Sequence, residues 1–130
     1  MGRRVGFDLV SAETVQDAID VHGRRYLERV YSERELAECR SGDTIDARRL
    51  AGCFAAKEAM MKVIELRDDA LAWRDLEVSR SDTGRPGVTL SGQAAALAES
   101  RGVTRVALSV SREGAHAAAV VIAEINGACR

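Results

Sequence analysis

Asp46-Ala-Arg-Arg-Leu50-Ala-Gly-Cys-Phe54-Ala-Ala-Lys57-Glu58-Ala-Met-Met-Lys62-Val-Ile-Glu-Leu66 is the longest stretch of this 130-residue chain that reads as one helix. It is rich in Ala, has no Gly after Gly52, and sets Leu50, Phe54, Met61 and Ile64 at positions expected to be buried. The same stretch holds both lysines of a chain that has 17 arginines. Where Arg meets every other need for positive charge, a retained ammonium suits a point contact to a phosphate oxygen, although two residues can also cluster by chance.

The flanking segments indicate what this helix lies against. Residues 3–10 alternate, with Val5, Phe7 and Leu9 on one face of a strand and Asp8 on the other. Residues 12–21 are amphipathic through Val15, Ala18 and Ile19, and Tyr26, Leu27 and Val30 predict a further turn or two. Ser32-Glu-Arg-Glu35 has the pattern of a capping box, so a short helix is expected from there to about Cys39, ended by Ser41-Gly42-Asp43. Residues 76–78 and 88–90 flank the turn-rich Ser81-Asp-Thr-Gly-Arg-Pro-Gly87 and predict a hairpin. Ser91 is expected to cap a helix running to residue 101 and ended by Gly102. Two strands, 104–111 and 116–124, follow around Arg112-Glu-Gly-Ala115.

The expected order is β-α-α-α-β-β-α-β-β, an α+β fold in which a mostly antiparallel sheet packs against one long helix. No linker, repeat or low-complexity tract divides residues 1–130, and a chain of this length buries roughly two thirds of its unfolded surface, so one domain is expected. An apolar sheet face including Val106, Leu108, Val120 and Ile122 is larger than the long helix covers, which predicts a partner subunit.

Composition excludes several classes of function. A net charge of -1, with 30% charged residues of both signs interleaved, offers no basic field for nucleic acid and no polybasic run for a membrane. The longest apolar run, residues 117–123, is too short to span a bilayer. Cys39, Cys53 and Cys129 are odd in number and lack Cys-x-x-Cys spacing, which argues against a disulfide framework or zinc site and predicts a reducing, cytoplasmic setting.

The residues that carry chemistry are Asp8, Glu58 and Lys62. Glu58 and Lys62 stand four apart on one helix face, and the bland reading of such a pair is a solvated salt bridge. Asp8, on the strand face opposite Val5, Phe7 and Leu9, can bring a second carboxylate to Glu58. Two carboxylates with positions left for water and phosphate oxygens are what Mg²⁺ requires.

At these residues the chain resembles the holo-acyl-carrier-protein synthases, the small bacterial branch of the phosphopantetheinyl transferases. The resemblance spans nearly the whole length through Gly6-Phe-Asp8-Leu-Val10, Tyr31-Ser-Glu-Arg-Glu35, Phe54-Ala-Ala-Lys-Glu-Ala59 with Lys62, Gly84-Arg-Pro86 and Ser109-Val-Ser111. It implies the phosphopantetheinyl transferase fold and transfer of the phosphopantetheine arm of coenzyme A to a serine of an acidic acyl carrier protein. Carried over by position, Asp8 and Glu58 ligate Mg²⁺ and Lys62 contacts the phosphates. Phe54, Arg85, Pro86, Ser111 and Arg112 join Lys62 in holding coenzyme A. The serine proton goes to Glu58 or to a metal-bound water. Arg24, Arg25 and Arg29 are the residues offered to the carrier, and members of the family are typically homotrimers with sites at subunit interfaces.

Several positions depart from the family pattern. Arg112 stands where a Ser-x-Ser-His turn has its His, Cys53 replaces an Arg before the Phe-Ala-Ala string, and Glu65-Leu-Arg67 replaces a Gly-Thr-Gly turn. The first helix shows Glu13, Asp17 and Asp20 where relatives are basic. These departures point to a specialised member, such as one serving polyketide carriers. The alternative is a catalytically weak paralogue that binds carrier proteins or coenzyme A.

Overall fold

His116-Ala-Ala-Ala-Val-Val-Ile-Ala-Glu-Ile125 is apolar along most of its length, the composition of a strand covered on both edges, and it forms the middle of the main sheet. The computed structural model describes residues 2–65 and 72–126. Its elements are β1 (Gly2–Ser11), α1 (Ala12–His22), α2 (Arg24–Val30), α3 (Glu33–Glu38), β2 (Arg40–Ser41), β3 (Thr44–Ile45) and α4 (Ala47–Val63). After a 3₁₀ turn at Trp73–Asp75 come β4 (Leu76–Arg80), β5 (Pro86–Leu90), α5 (Gly92–Ser100), β6 (Val103–Glu113) and β7 (His116–Ile125). The main sheet has the antiparallel order β1-β7-β6, and β2-β3 and β4-β5 are separate two-stranded ribbons. This is the expected α+β architecture, with α4 as the long helix across the sheet.

Small residues let α4 lie close to the sheet. Ala51, Ala55, Ala56 and Ala59 on the helix are buried, as are Ala117, Ala119, Val121 and Ala123 on β7. Gly6 marks the closest approach, since a Cβ there would overlap the Ala59 carbonyl and touch Val63. Any larger residue would push α4 off β1 and separate whatever the two elements hold together. Leu50, Met61 and Ile64 are buried as expected, but Phe54 is half-buried and stacks on Trp73, with ring centroids 5.2 Å apart and planes at 22°.

The structure corrects the expectations in several places. Val106 and Leu108 do not share a face with Val120 and Ile122. The register pairs Val106 with Ala123 and Leu108 with Val121, on the α4 side, whereas Val5 pairs with Ile122 and Phe7 with Val120 on the outer side. On that outer face Val5, Phe7 and Leu9 are 65%, 55% and 61% exposed. The helical region after β1 breaks at Gly23, whose φ of 56° suits Gly, so α1 and α2 are distinct. The Ser41-Gly42-Asp43 turn closes the small β2-β3 ribbon. Ser91 makes no side-chain cap. Asp75 does that work, its Oδ2 accepting from the Gln93 amide at 3.2 Å. Helix α4 ends at Val63, and Leu66 and Arg67 lie outside the described residues.

Candidate functional site

Phe54, Glu58 and Lys62 recur every fourth residue of α4, while the positions between them are buried, so one stripe of the helix is left open. Opposite its end lies β1, where the Asp8 side chain points to the α4 side because it is two residues from Gly6. The Lys62 ammonium donates to the Phe7 carbonyl at 2.7 Å and to Asp8 Oδ1 at 3.2 Å. Gly6 makes this reach possible by letting the helix in. Arg4 fixes the end of the same turn by donating to the Val63 carbonyl at 3.2 Å. Glu58 is half-buried one turn before Lys62 on the same stripe.

Lys57, next to Glu58, has the opposite setting. It is fully buried and paired with Glu35 at 2.9 Å. It also donates to the Trp73 carbonyl at 3.0 Å and to the Leu76 carbonyl. Glu35 accepts in turn from the Ser32 amide at 2.8 Å and the Val78 amide at 2.6 Å. The capping box read from sequence is present in full, and its carboxylate also serves the core. The network ties α3, α4 and β4 together, and its charged atoms all have partners. Above it the Tyr31 hydroxyl meets that of Tyr26 at 2.6 Å, and burial followed by Tyr26 pushes the Tyr31 pKa far above its ordinary value. No sequence signal paired Lys57 with Glu35. A lysine set among Ala and Met on its helix was the one available hint.

Arg112 lies at the end of β6 on the α4 face, with its guanidinium against Gly52. It lines a cavity of about 480 Å³ with Arg49, Cys53, Arg80 and Pro86. The resemblance puts Arg112 at a subunit boundary, and its guanidinium leans on α4 of its own chain. The cavity's thiols are not nucleophiles at neutral pH. Burial, then the charges of Glu35 and Glu38, raise Cys39 to about 11, and burial followed by Glu35 pushes Cys53 well up. Both cysteines are free, and Cys129 lies outside the described residues.

Residues 4–121 match the family described as the 4'-phosphopantetheinyl transferase superfamily. This chain belongs to that family. The transferase is 40% identical over 130 residues to the holo-[acyl-carrier-protein] synthase of Paramagnetospirillum magneticum, covering 95% of this chain and 97% of that one. It is 34% identical over 125 residues to the synthase of Halothermothrix orenii, covering 95% and 98%. Its structure superposes on the ACPS–CoA complex of Chronobacterium ammoniagenes with a TM-score of 0.85 and 28% identity, over 97% of this chain and 99% of that one. The Helicobacter pylori synthase in complex with coenzyme A gives 0.79 and 26%, over 93% and 100%. An enzyme of the holo-[acyl-carrier-protein] synthase type, expected from the motifs, is thus what the comparisons return.

Within the transferase the expected site residues fall into groups. Asp8, Lys62 and, one turn away, Glu58 share the open end of α4. Pro86 and Arg112 share the cavity with Cys53. Arg85 is exposed in the β4-β5 turn, where its amide donates to Ser81 Oγ at 3.2 Å. Ser111 points to the outer face of the sheet, away from Arg112, because adjacent strand residues alternate. Arg24, Arg25 and Arg29 are exposed on α2, and Arg24 lines a second cavity of about 600 Å³ with Leu27, Arg40 and Arg74. Among the described residues no helix is long and apolar enough to cross a membrane.

Proposed function

We propose that this chain transfers the 4'-phosphopantetheine arm of coenzyme A to a serine hydroxyl of an acidic apo acyl carrier protein and releases adenosine 3',5'-bisphosphate. The observation that carries the reading is the Asp8–Lys62 contact at the open end of α4, with Glu58 one helical turn earlier on the same stripe. Mg²⁺ fits this donor set. Asp8 and Glu58 offer hard oxygens, and Asp8 already holds one cation. Mg²⁺ keeps waters and substrate phosphates in its shell, so two protein carboxylates are enough to hold it. When bound, the metal neutralises charge on the pyrophosphate during transfer. Lys62 binds a phosphate oxygen of coenzyme A and orients it, and Glu58 or a water it orders takes the serine proton. Arg112 grips a phosphate from the cavity it shares with Cys53 and Pro86.

The acidic carrier is received by Arg24, Arg25 and Arg29, with Arg40 and Arg74 on the rim of the same hollow. Exposed Glu13, Asp17 and Asp20 on α1 support a specialised carrier, such as one of polyketide synthesis. The working unit is a homotrimer, a reading supported by the exposed apolar face of Val5, Phe7, Leu9 and Ile122. The free thiols support a cytoplasmic setting. Incubation with coenzyme A, Mg²⁺ and a panel of apo-carriers is expected to add the phosphopantetheine mass to at least one carrier, and EDTA is expected to abolish the gain. Coenzyme A binding with no transfer to any carrier would instead favour the binding-module reading. Light scattering is expected to give three times the chain mass, and an active monomer would overturn the trimer.

A further inference from the structure

Lys62 is a cation already seated where the metal is proposed to bind. Its ammonium touches Asp8 Oδ1 at 3.2 Å and the Phe7 carbonyl at 2.7 Å. Asp8 is 18% exposed, so its carboxylate has lost most of its water and needs a compensating charge. Lys62 is 53% exposed and anchored at its tip, so the stem is free to swing.

We propose that Lys62 is the resident counter-ion of Asp8, displaced when phosphate arrives, so that metal binding is conditional on the phosphate-bearing substrate. The inference rests on the reading of Asp8 and Glu58 as metal ligands. An ammonium at Oδ1 stands in the approach of a metal to that oxygen, and its charge repels a second cation in a site partly withdrawn from water. Phosphate oxygens are charged acceptors, stronger than a neutral carbonyl, and they draw the ammonium off β1. The carboxylate is released as the phosphate supplies further oxygens, so metal and substrate favour each other's binding by the same factor. Metal alone meets an occupied carboxylate.

The test is a titration of Mn²⁺ alone, followed by the loss of its free-ion resonance signal, into the wild type, Lys62→Met and Lys62→Arg. Lys62→Met is expected to bind the metal about 10-fold tighter than the wild type, within the usual range for coupled sites. Lys62→Arg, which keeps the charge, is expected to stay near the wild type. Adding adenosine 3',5'-bisphosphate is expected to tighten metal binding more in the wild type than in Lys62→Met. Metal binding in Lys62→Met that is no tighter than in the wild type overturns the proposal. Asp8→Asn in both backgrounds separates the two readings. Loss of metal binding in both keeps Asp8 as a ligand whatever Lys62→Met does, and metal still bound by Lys62→Met/Asp8→Asn overturns ligand and counter-ion together.

Discussion

Lys57 and Lys62 belong to one helix and one motif, little more than a turn apart, yet they do opposite work. Lys57 is fully buried, with a carboxylate and two carbonyls around its ammonium, whereas Lys62 is half-exposed and holds β1 only by its tip. A buried ammonium with every donor engaged cannot leave to meet a substrate, because its carboxylate partner would be left charged in the core. A tip contact at the surface can be traded for a phosphate. The helix therefore has a structural side and a chemical stripe, and the contrast teaches that surroundings, not residue type, assign the role.

The contrast would be broken most sharply at the chemical stripe. Asp8→Ala and Glu58→Ala are each expected to reduce transfer about 100-fold or more, the usual loss when a group aimed at developing charge is removed. The unfolding midpoint should stay close to the wild type, because neither side chain closes the core. Mass spectrometry of the carrier reads the first quantity and urea unfolding the second. Full activity of either variant would remove that carboxylate from the reaction.

On the structural side the expected loss is in folding. Lys57→Met leaves Glu35 charged and uncompensated in the core, which costs about 3 to 5 kcal/mol. Adding Glu35→Gln removes that charge and keeps an acceptor for one of the two amides, Ser32 at Oε1 or Val78 at Oε2, so urea unfolding of the double variant is expected to recover part of the loss. A single variant as stable as the wild type would show that the pair is not what joins α3, α4 and β4.

Arg112 sharpens the chemical side at a distance from Asp8. If its guanidinium grips a phosphate, Arg112→Ala raises the Michaelis constant for coenzyme A about 10- to 150-fold, matching roughly 1.5 to 3 kcal/mol for a charge-assisted hydrogen bond. Turnover falls less, because the grip is lost equally from ground and transition states. Arg112→His is expected to recover part of the binding, and more as pH falls and the imidazole gains its charge. Unchanged steady-state kinetics in Arg112→Ala would leave it a cavity wall.

How much of this was legible in the sequence follows from the range of each interaction. The capping box and the two hairpins are written in neighbours a few residues apart and appear where expected, whereas the element order differs where α1 and α2 separate at Gly23 and the β2-β3 ribbon precedes α4. Asp8 and Lys62 were brought together by strand alternation, helix spacing and family resemblance, though nothing in the sequence said that Lys62 would occupy Asp8. The Lys57–Glu35 pair needs α3 to land on α4, a tertiary event that no local pattern records. The division of Val106 and Leu108 from Val120 and Ile122 depends on β6-β7 register, where a shift of one residue exchanges the faces. Two-residue strands such as β2 and β3 are too short to leave a periodicity.

The smallest expected effect lies at the end of α4, just beyond Lys62. Glu65 adopts φ 56°, the left-handed region that favours Gly, and stands where the family resemblance places a Gly-rich turn. It is held there by Arg4 at 3.1 Å and Arg101 at 2.7 Å, two exposed ion pairs worth about 0 to 1 kcal/mol each. Glu65→Ala loses both pairs and keeps the unfavourable backbone, so it should lower stability by about 1 kcal/mol. Glu65→Gly loses the same pairs but relieves the backbone by a similar amount, so it should unfold near the wild type and about 1 kcal/mol above Glu65→Ala. Transfer should be unchanged in both, because the Glu65 carboxylate pairs with Arg4 and Arg101 rather than with the Lys62 ammonium. Equal stability of the two variants would show that the backbone carries no strain. A loss of transfer in either would extend the chemical stripe past the end of the helix.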